Sequence, residues 1–212
     1  MYICTMSQEE EVKQKLLIKA MDEFLSKGFK SVTMDDLAAV MGMSKKTIYT
    51  YYKKKTDLVE AATDYFLELI SHEIEKVKTK GFNPIEEMFA MNDLVNEKLK
   101  DENSSPLYQL EKYYGAIHQK QNAKKLAITK SCLTHNIEKG ISQGLYRADT
   151  NVELVIKIHY VVALALKNIE IFPVSEFPVQ KTRMEHIIMH IRSIATEKGL
   201  HILEQIIKTR KL

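Results

Sequence analysis

Apolar residues recur three and four positions apart along most of the chain, and no stretch alternates convincingly as a strand would. Over residues 8–27, Val12, Leu16, Leu17, Ala20, Met21, Phe24 and Leu25 fall on one helical face, with Glu and Lys between them. Gly28 follows as a C-terminal stop. Next, Thr33 and Asp36 have the spacing of a capping box for a helix of about two turns from Met34 to Met41. Gly42 ends that helix, and Ser44 can cap another from Lys45 to about Tyr51. Leu37, Ala38 and Met41 form one apolar face, which Met43 and Ile48 can close over. Two short helices joined by a glycine-containing turn form a helix-turn-helix pattern.

Longer helices are predicted beyond it. One runs from Thr56 to about Thr79, with Leu58, Ala62, Tyr65, Phe66, Leu69, Ile70 and Ile74 on its apolar side. Asn83-Pro84 opens the next, to about Lys100. "DENSSP", residues 101–106, reads as a loop. Helical segments follow at about 106–116, 119–143, 151–171 and 179–196, and a last one runs from Glu197 to about Thr209. The expected fold class is all-α. An N-terminal helix-turn-helix domain (residues 1–55) precedes a larger helical domain (56–212).

Composition agrees with a helical reading. Glycine (7) and proline (4) are few in 212 residues, and hydrophobic residues make up 45%, enough for a sizeable core. The run "IHYVVALAL", residues 158–166, is about half the length needed to cross a bilayer, so no membrane association is expected. The first residues lack the pattern of an export signal. Cys4 and Cys132 have no CxxC spacing and read as free thiols of a cytoplasmic protein.

The net charge of +3 says little about partners, but the placement of charge says more. "MSKKTIYTYYKKKTDL", residues 43–58, holds five lysines, three tyrosines and three threonines, with Asp57 its only acid. In a helix-turn-helix unit the second helix enters the DNA major groove by its N-terminal end. Lys45, Lys46, Thr47, Tyr49 and Thr50 lie off the face that Ile48 and Tyr52 would bury. Their ammonium and hydroxyl groups suit base edges and phosphates. Tyr51 is in reach of a flanking phosphate, and Lys53 to Lys55 stand at the start of the next helix. Taken alone, a lysine run is a solvated face and a tyrosine a packing residue. Their position on this motif turns the reading toward double-stranded DNA.

Residues 31–62, "SVTMDDLAAVMGMSKKTIYTYYKKKTDLVEAA", resemble the DNA-binding domain of TetR-type transcriptional regulators. That pattern has a Thr before a short helix, Ala and Gly around the turn, and Ser opening the recognition helix. Tyr49, Lys55, Asp57 and Leu58 match its later positions, while Tyr52 stands where the family usually has Phe. The specific likeness covers about residues 8–62, and "IEKGISQGLYRADTN" (137–151) also looks like the family's junction before its first dimerisation helix. The resemblance implies DNA contacts by Thr33, Ser44, Lys45, Lys46, Thr47, Tyr49, Thr50, Tyr51 and Lys55. It implies a homodimer on a palindromic operator, built from the last two long helices, with repression as the usual mode. Ile158, Val162, Leu166, Ile187, Ile191 and Ile194 are the expected interface. The nearly all-apolar 158–169 segment independently calls for cover on more than one side.

The resemblance also implies a small-molecule effector bound in the larger domain. Tyr65, Phe66, Tyr108, Tyr113, Tyr114, His118 and Asn136 are its candidate lining, suited to a mostly apolar compound. The same residues serve equally as core. His186 and His190 have the i, i+4 spacing of a metal pair, but nothing nearby completes a site, so they read as interface or surface histidines. No Ser-His-Asp set, paired carboxylate arrangement or Gly-rich phosphate loop is visible, and neither enzymatic activity nor a cofactor or metal is expected. Two rivals are a helical interaction protein that has lost DNA binding and a small helix-bundle enzyme. The intact basic helix opposes the first, and the missing Glu-x-x-His pairs oppose the second.

Overall fold

The computed structural model describes residues 7–98 and 104–212, and among these the chain forms ten α-helices. They are α1 (Gln8–Lys27), α2 (Met34–Met41), α3 (Lys45–Tyr51), α4 (Lys55–Lys78), α5 (Pro84–Lys98), α6 (Ser104–Tyr113), α7 (Gly115–Ser142), α8 (Val152–Ala165), α9 (Val179–Ile194) and α10 (Glu197–Arg210). No strand is found among the described residues beyond an isolated bridge between Tyr146 and Ala195. Cys4 and residues 101–103 of the expected loop lie outside the described residues. The rest of that loop, from Ser104, is the first turn of α6.

Helix ends follow local chemistry. At α1 the Ser7 hydroxyl and the Glu10 carboxylate cap each other's backbone amides, and Thr33 with Asp36 does the same at α2. Gly42 then turns the chain at φ 61°, ψ 30°, a left-handed conformation that costs glycine nothing and other residues about 1 kcal/mol. The helix from residue 151 stops earlier than expected, at Ala165 rather than 171. Amides of Lys167 and Asn168 turn back to Leu164 and Ala165, and the Asn168 side chain accepts from Glu170 N–H at 2.9 Å. That local side-chain bond competes with helix continuation.

The chain divides into two packing units. The first comprises residues up to Leu69 together with 101–124, and the second comprises 70–100 and 125–212. α4 and α7 therefore contribute to both. The first unit takes in more than residues 1–55. Its core holds Leu16, Ala20, Phe24, Phe29, Leu37, Ile48, Leu58 and Ala62, with Leu110 of α6 buried among them. Phe24 and Phe29 stack with ring centres 5.2 Å apart.

In the second unit, Ile85, Phe89, Ile137, Tyr146, Ile156, Ile191 and Leu203 form the larger core. Gly140 is required there, because a Cβ at that position would stand 2.0 Å from the Tyr146 ring. A polar network is buried inside. Glu87, fully buried, receives Lys139 Nζ at 2.9 Å and Asn136 Nδ2 at 3.0 Å. Asn136 also donates to the Pro84 carbonyl at 2.9 Å and accepts from the Tyr146 hydroxyl at 3.3 Å. Burial and the Glu87 charge push the Tyr146 hydroxyl well above its usual range. Cys132 sits in a third cluster with Ile74, Val77 and Met91, and burial raises its thiol, which leaves it a small apolar residue.

Candidate nucleic-acid interface

The α2–turn–α3 unit is held from below by apolar contact. Leu37 and Ile48 are fully buried, Tyr52 is buried behind them, and Ala38, Met41 and Met43 are packed at the margin. The turn is closed by Gly42 N–H to Ala39 C=O at 3.2 Å and Met43 N–H to Ala38 C=O at 3.0 Å. Ser44 Oγ accepts from Thr47 N–H at 3.0 Å and opens α3. The expected division of α3 is found. Ile48 and Tyr52 point to the core, while Lys45, Lys46, Thr47, Tyr49 and Thr50 are exposed.

Several of these groups are already engaged. Lys45 pairs with Asp35 of α2 at 2.7 Å, which raises its affinity for its proton. Both partners are exposed, so this pair is worth little and is easily exchanged for phosphate. The Ser44 and Thr47 hydroxyls lie 2.7 Å apart, and Thr50 Oγ1 donates to the Thr47 carbonyl at 2.6 Å. Thr33 Oγ1 donates to Asp36 at 2.8 Å within the α2 cap, and the bonds from the Thr33 amide and hydroxyl hold the Asp36 carboxyl below its usual range. Tyr51 is half-buried against the core of its unit.

Lys55 differs from its lysine neighbours. It is half-buried over the Phe24 and Tyr114 rings, 5.9 and 6.0 Å from their centres, and donates to the Lys30 carbonyl at 3.2 Å. Desolvation, then repulsion from Lys30, lowers its basicity. The turn before α2 is held further by α6. Gln109 Oε1 accepts from Lys30 N–H at 2.8 Å and Ser31 N–H at 3.3 Å, and the Tyr114 hydroxyl donates to the Phe29 carbonyl at 3.4 Å. No local pattern in the sequence signals these contacts, which join residues about eighty positions apart. On α4, Glu60 pairs with Lys120, and Asp64 pairs with Lys124 at 2.7 Å and receives Gln121 Nε2 at 2.6 Å.

The expected effector residues are divided between the two units. Tyr65 receives Gln14 Nε2 at 3.4 Å, Phe66 and Tyr114 pack on the first core, and His118 bonds Asn122 at 3.2 Å. Tyr108 and Tyr113 are exposed, with Lys112 over both rings. Asn136 belongs to the second unit and is fully engaged in the Glu87 network, so it is a core residue and offers nothing to a ligand there.

The expected interface residues also divide. Ile187, Ile191 and Ile194 are buried in the chain's own core, which corrects their assignment to a surface between protomers. Val162 and Leu166 are half-buried. The apolar side chains that α8 leaves uncovered are Leu154, Ile158, Val161 and Leu164, and Met189 is likewise exposed on α9.

Residues 16–62 match the model of bacterial regulatory proteins of the tetR family. An uncharacterized helix-turn-helix-type transcriptional regulator of Bacillus subtilis, YvaF, is 29% identical over 141 residues, which span 63% of this chain and 74% of that protein. A putative transcriptional regulator of Saccharomonospora viridis, solved in complex with choline, superposes with a TM-score of 0.74 at 18% identity, covering 89% of this chain and 100% of that one. A TetR transcription regulator of Haloarcula marismortui gives 0.73 at 17% identity, covering 88% and 100%. At these identities the structural likeness speaks for the fold. Among the described residues, no helix is long and apolar enough to cross a membrane.

Proposed function

We propose that this chain, a member of the TetR family of bacterial transcriptional regulators, represses transcription by holding a palindromic operator as a homodimer and releases it when a small, mostly apolar molecule binds. The observation that carries the DNA-reading part is the exposed row Lys45, Lys46, Thr47, Tyr49 and Thr50 on a helix whose other face is fully buried. Lys46, Thr47 and Tyr49 read the groove. Thr33, Ser44, Tyr51 and Lys55 set the register through phosphates, the hydroxyl groups acting as acceptors or donors beyond their capping bonds. The protein acts in the cytoplasm and uses no cofactor.

The dimeric reading is supported by the α8 stripe Leu154, Ile158, Val161 and Leu164, whose exposure favours a second copy of the chain as cover. The effector part rests on the family likeness; of its candidate residues, Tyr65 and Phe66 stand on α4, His118 on α7 and Tyr114 between α6 and α7. The turn before α2 is bonded to Gln109 and Tyr114, so a ligand that displaces α6 moves the DNA-reading helices with it. Release from 99:1 bound to 1:99 needs the ligand to prefer the released state about 10⁴-fold.

An electrophoretic shift against the DNA upstream of the protein's own gene, with excess unrelated duplex, tests the reading. A retarded band that survives the competitor supports it. Equal loss of binding to both DNAs refutes it.

A further inference from the structure

Three histidines of the second unit meet where α8 packs on α9. The His159 ring lies 4.7 Å from that of His186 and 4.8 Å from that of His190, centre to centre. Each has a buried ring nitrogen with no hydrogen-bond partner: Nδ1 of His159, Nε2 of His186 and Nε2 of His190. His190 is only 7% exposed. Buried polar atoms are normally paired, so three orphaned nitrogens on touching rings need a physical account.

Burial disfavours a positive charge on these rings. Burial is the main cause that holds all three imidazoles neutral, with His190 at about 4 and His159 at about 3. Mutual repulsion adds to it for His159 and His190, and a bond to the His159 backbone opposes it at His186. Among the described residues, no carboxylate offsets this burial. On α8, Glu153 pairs with Lys157. On α9, Arg183 bonds Asn96 of α5, Arg192 pairs with Glu204 of α10, and Glu185 is exposed. From α5, Asp93 pairs with Arg210 and Glu87 with Lys139. Asn92 of α5 turns its amide to Met184, and its buried carbonyl oxygen has no partner. Among the described residues, no group of three His, Cys, Asp or Glu side chains is arranged to hold a metal ion.

We propose that His159, His186 and His190 form an acid-triggered release between α8 and α9: neutral rings pack together, and protonation drives α9 away from α8, the helix that carries the exposed apolar stripe. The consequence for assembly rests on the dimeric reading above, while the consequence for the α8–α9 packing does not. The sign is fixed by linkage. A histidine held neutral in the folded chain takes its proton first in the opened chain, so stability is complete above the ordinary imidazole value of 6.5 and is lost as pH falls below it. His159 and His190 each multiply the opening constant about thirtyfold between pH 7.5 and pH 5.

The test is made on the full chain. Ring resonances of the wild-type protein are followed by proton–carbon NMR from pH 7.5 to 4.5. The three clustered rings should stay neutral in the folded state and change only together, as packing is lost. Thermal unfolding and sedimentation of His159→Gln and His190→Gln at pH 7.5 and 5 provide the second measurement. The acid-induced rise in the opening constant should be about thirtyfold smaller in each variant than in the wild type. Independent titration of the three rings near 6.5 in the folded protein would overturn the proposal, as would equal acid sensitivity in wild type and variants. If a variant does not fold, the wild-type titration decides alone. DNA binding is scored separately at pH 7.5, where all three are neutral, so failure there leaves this result unaffected.

Discussion

The Lys55 ammonium lies 3.2 Å from the Lys30 carbonyl and ties the first residue of α4 to the turn that precedes α2. One lysine thus braces the DNA-reading helices and brings a positive charge to the place where a phosphate is expected. Lys55→Met keeps the apolar stem over Phe24 and Tyr114 and removes the charge. Binding to all DNA sequences is expected to weaken, and the slope of log affinity against log salt to flatten by about one. An unchanged slope with lowered stability would leave Lys55 a brace only.

Thr47 is different in kind, since its exposed hydroxyl adjoins Ser44 at the tip of α3. Thr47→Ala leaves the Ser44 cap on the Thr47 amide intact. Operator affinity is expected to fall by about 1–3 kcal/mol with non-specific binding unchanged. Fluorescence anisotropy on operator and scrambled duplexes reads both.

Two charge insertions separate surface from core. Val161 is 62% exposed on α8, whereas Ile187 is 6% exposed on α9. Val161→Asp is expected to yield a folded monomer, seen as a halved mass in sedimentation with unchanged helix content. Ile187→Asp buries an unpaired charge and is expected to cost several kcal/mol, unfolding the second unit before any effect on assembly can be read.

The Glu87 network makes another contrast. Lys139→Met leaves a fully buried carboxylate with Asn136 as its remaining donor, at an expected cost of about 3 kcal/mol. The double variant Glu87→Gln with Lys139→Met removes both charges and should recover more than half of that loss in urea unfolding.

The legible parts of the chain are those set by local chemistry. α2 begins and ends, and α3 begins, where Thr33, Asp36, Gly42 and Ser44 direct, because each cap acts over three or four residues. The end of α8 is also local, since Asn168 stops it, but an apolar run masks that signal. Proximity in space between distant residues is not legible. The i, i+4 spacing of His186 and His190 is plain, yet nothing in the sequence brings His159 to them across the α8–α9 packing. The binding of Gln109 to the 28–31 turn is hidden for the same reason, as is the inward orientation of Ile187, Ile191 and Ile194. A helix that is apolar on two sides shows which residues want cover, without showing which side its own chain supplies.

Selection of bound duplexes from a random pool, at near-physiological salt, tests whether α3 reads DNA sequence. A dimer presenting two copies of α3 predicts enrichment of an inverted repeat whose half-sites lie one helical turn apart, about 34–36 Å, or a multiple of it. Thr47→Ala should lose that enrichment while retaining weak binding to the pool. A pool that stays random in sequence after repeated rounds with the wild-type protein would contradict DNA reading by α3.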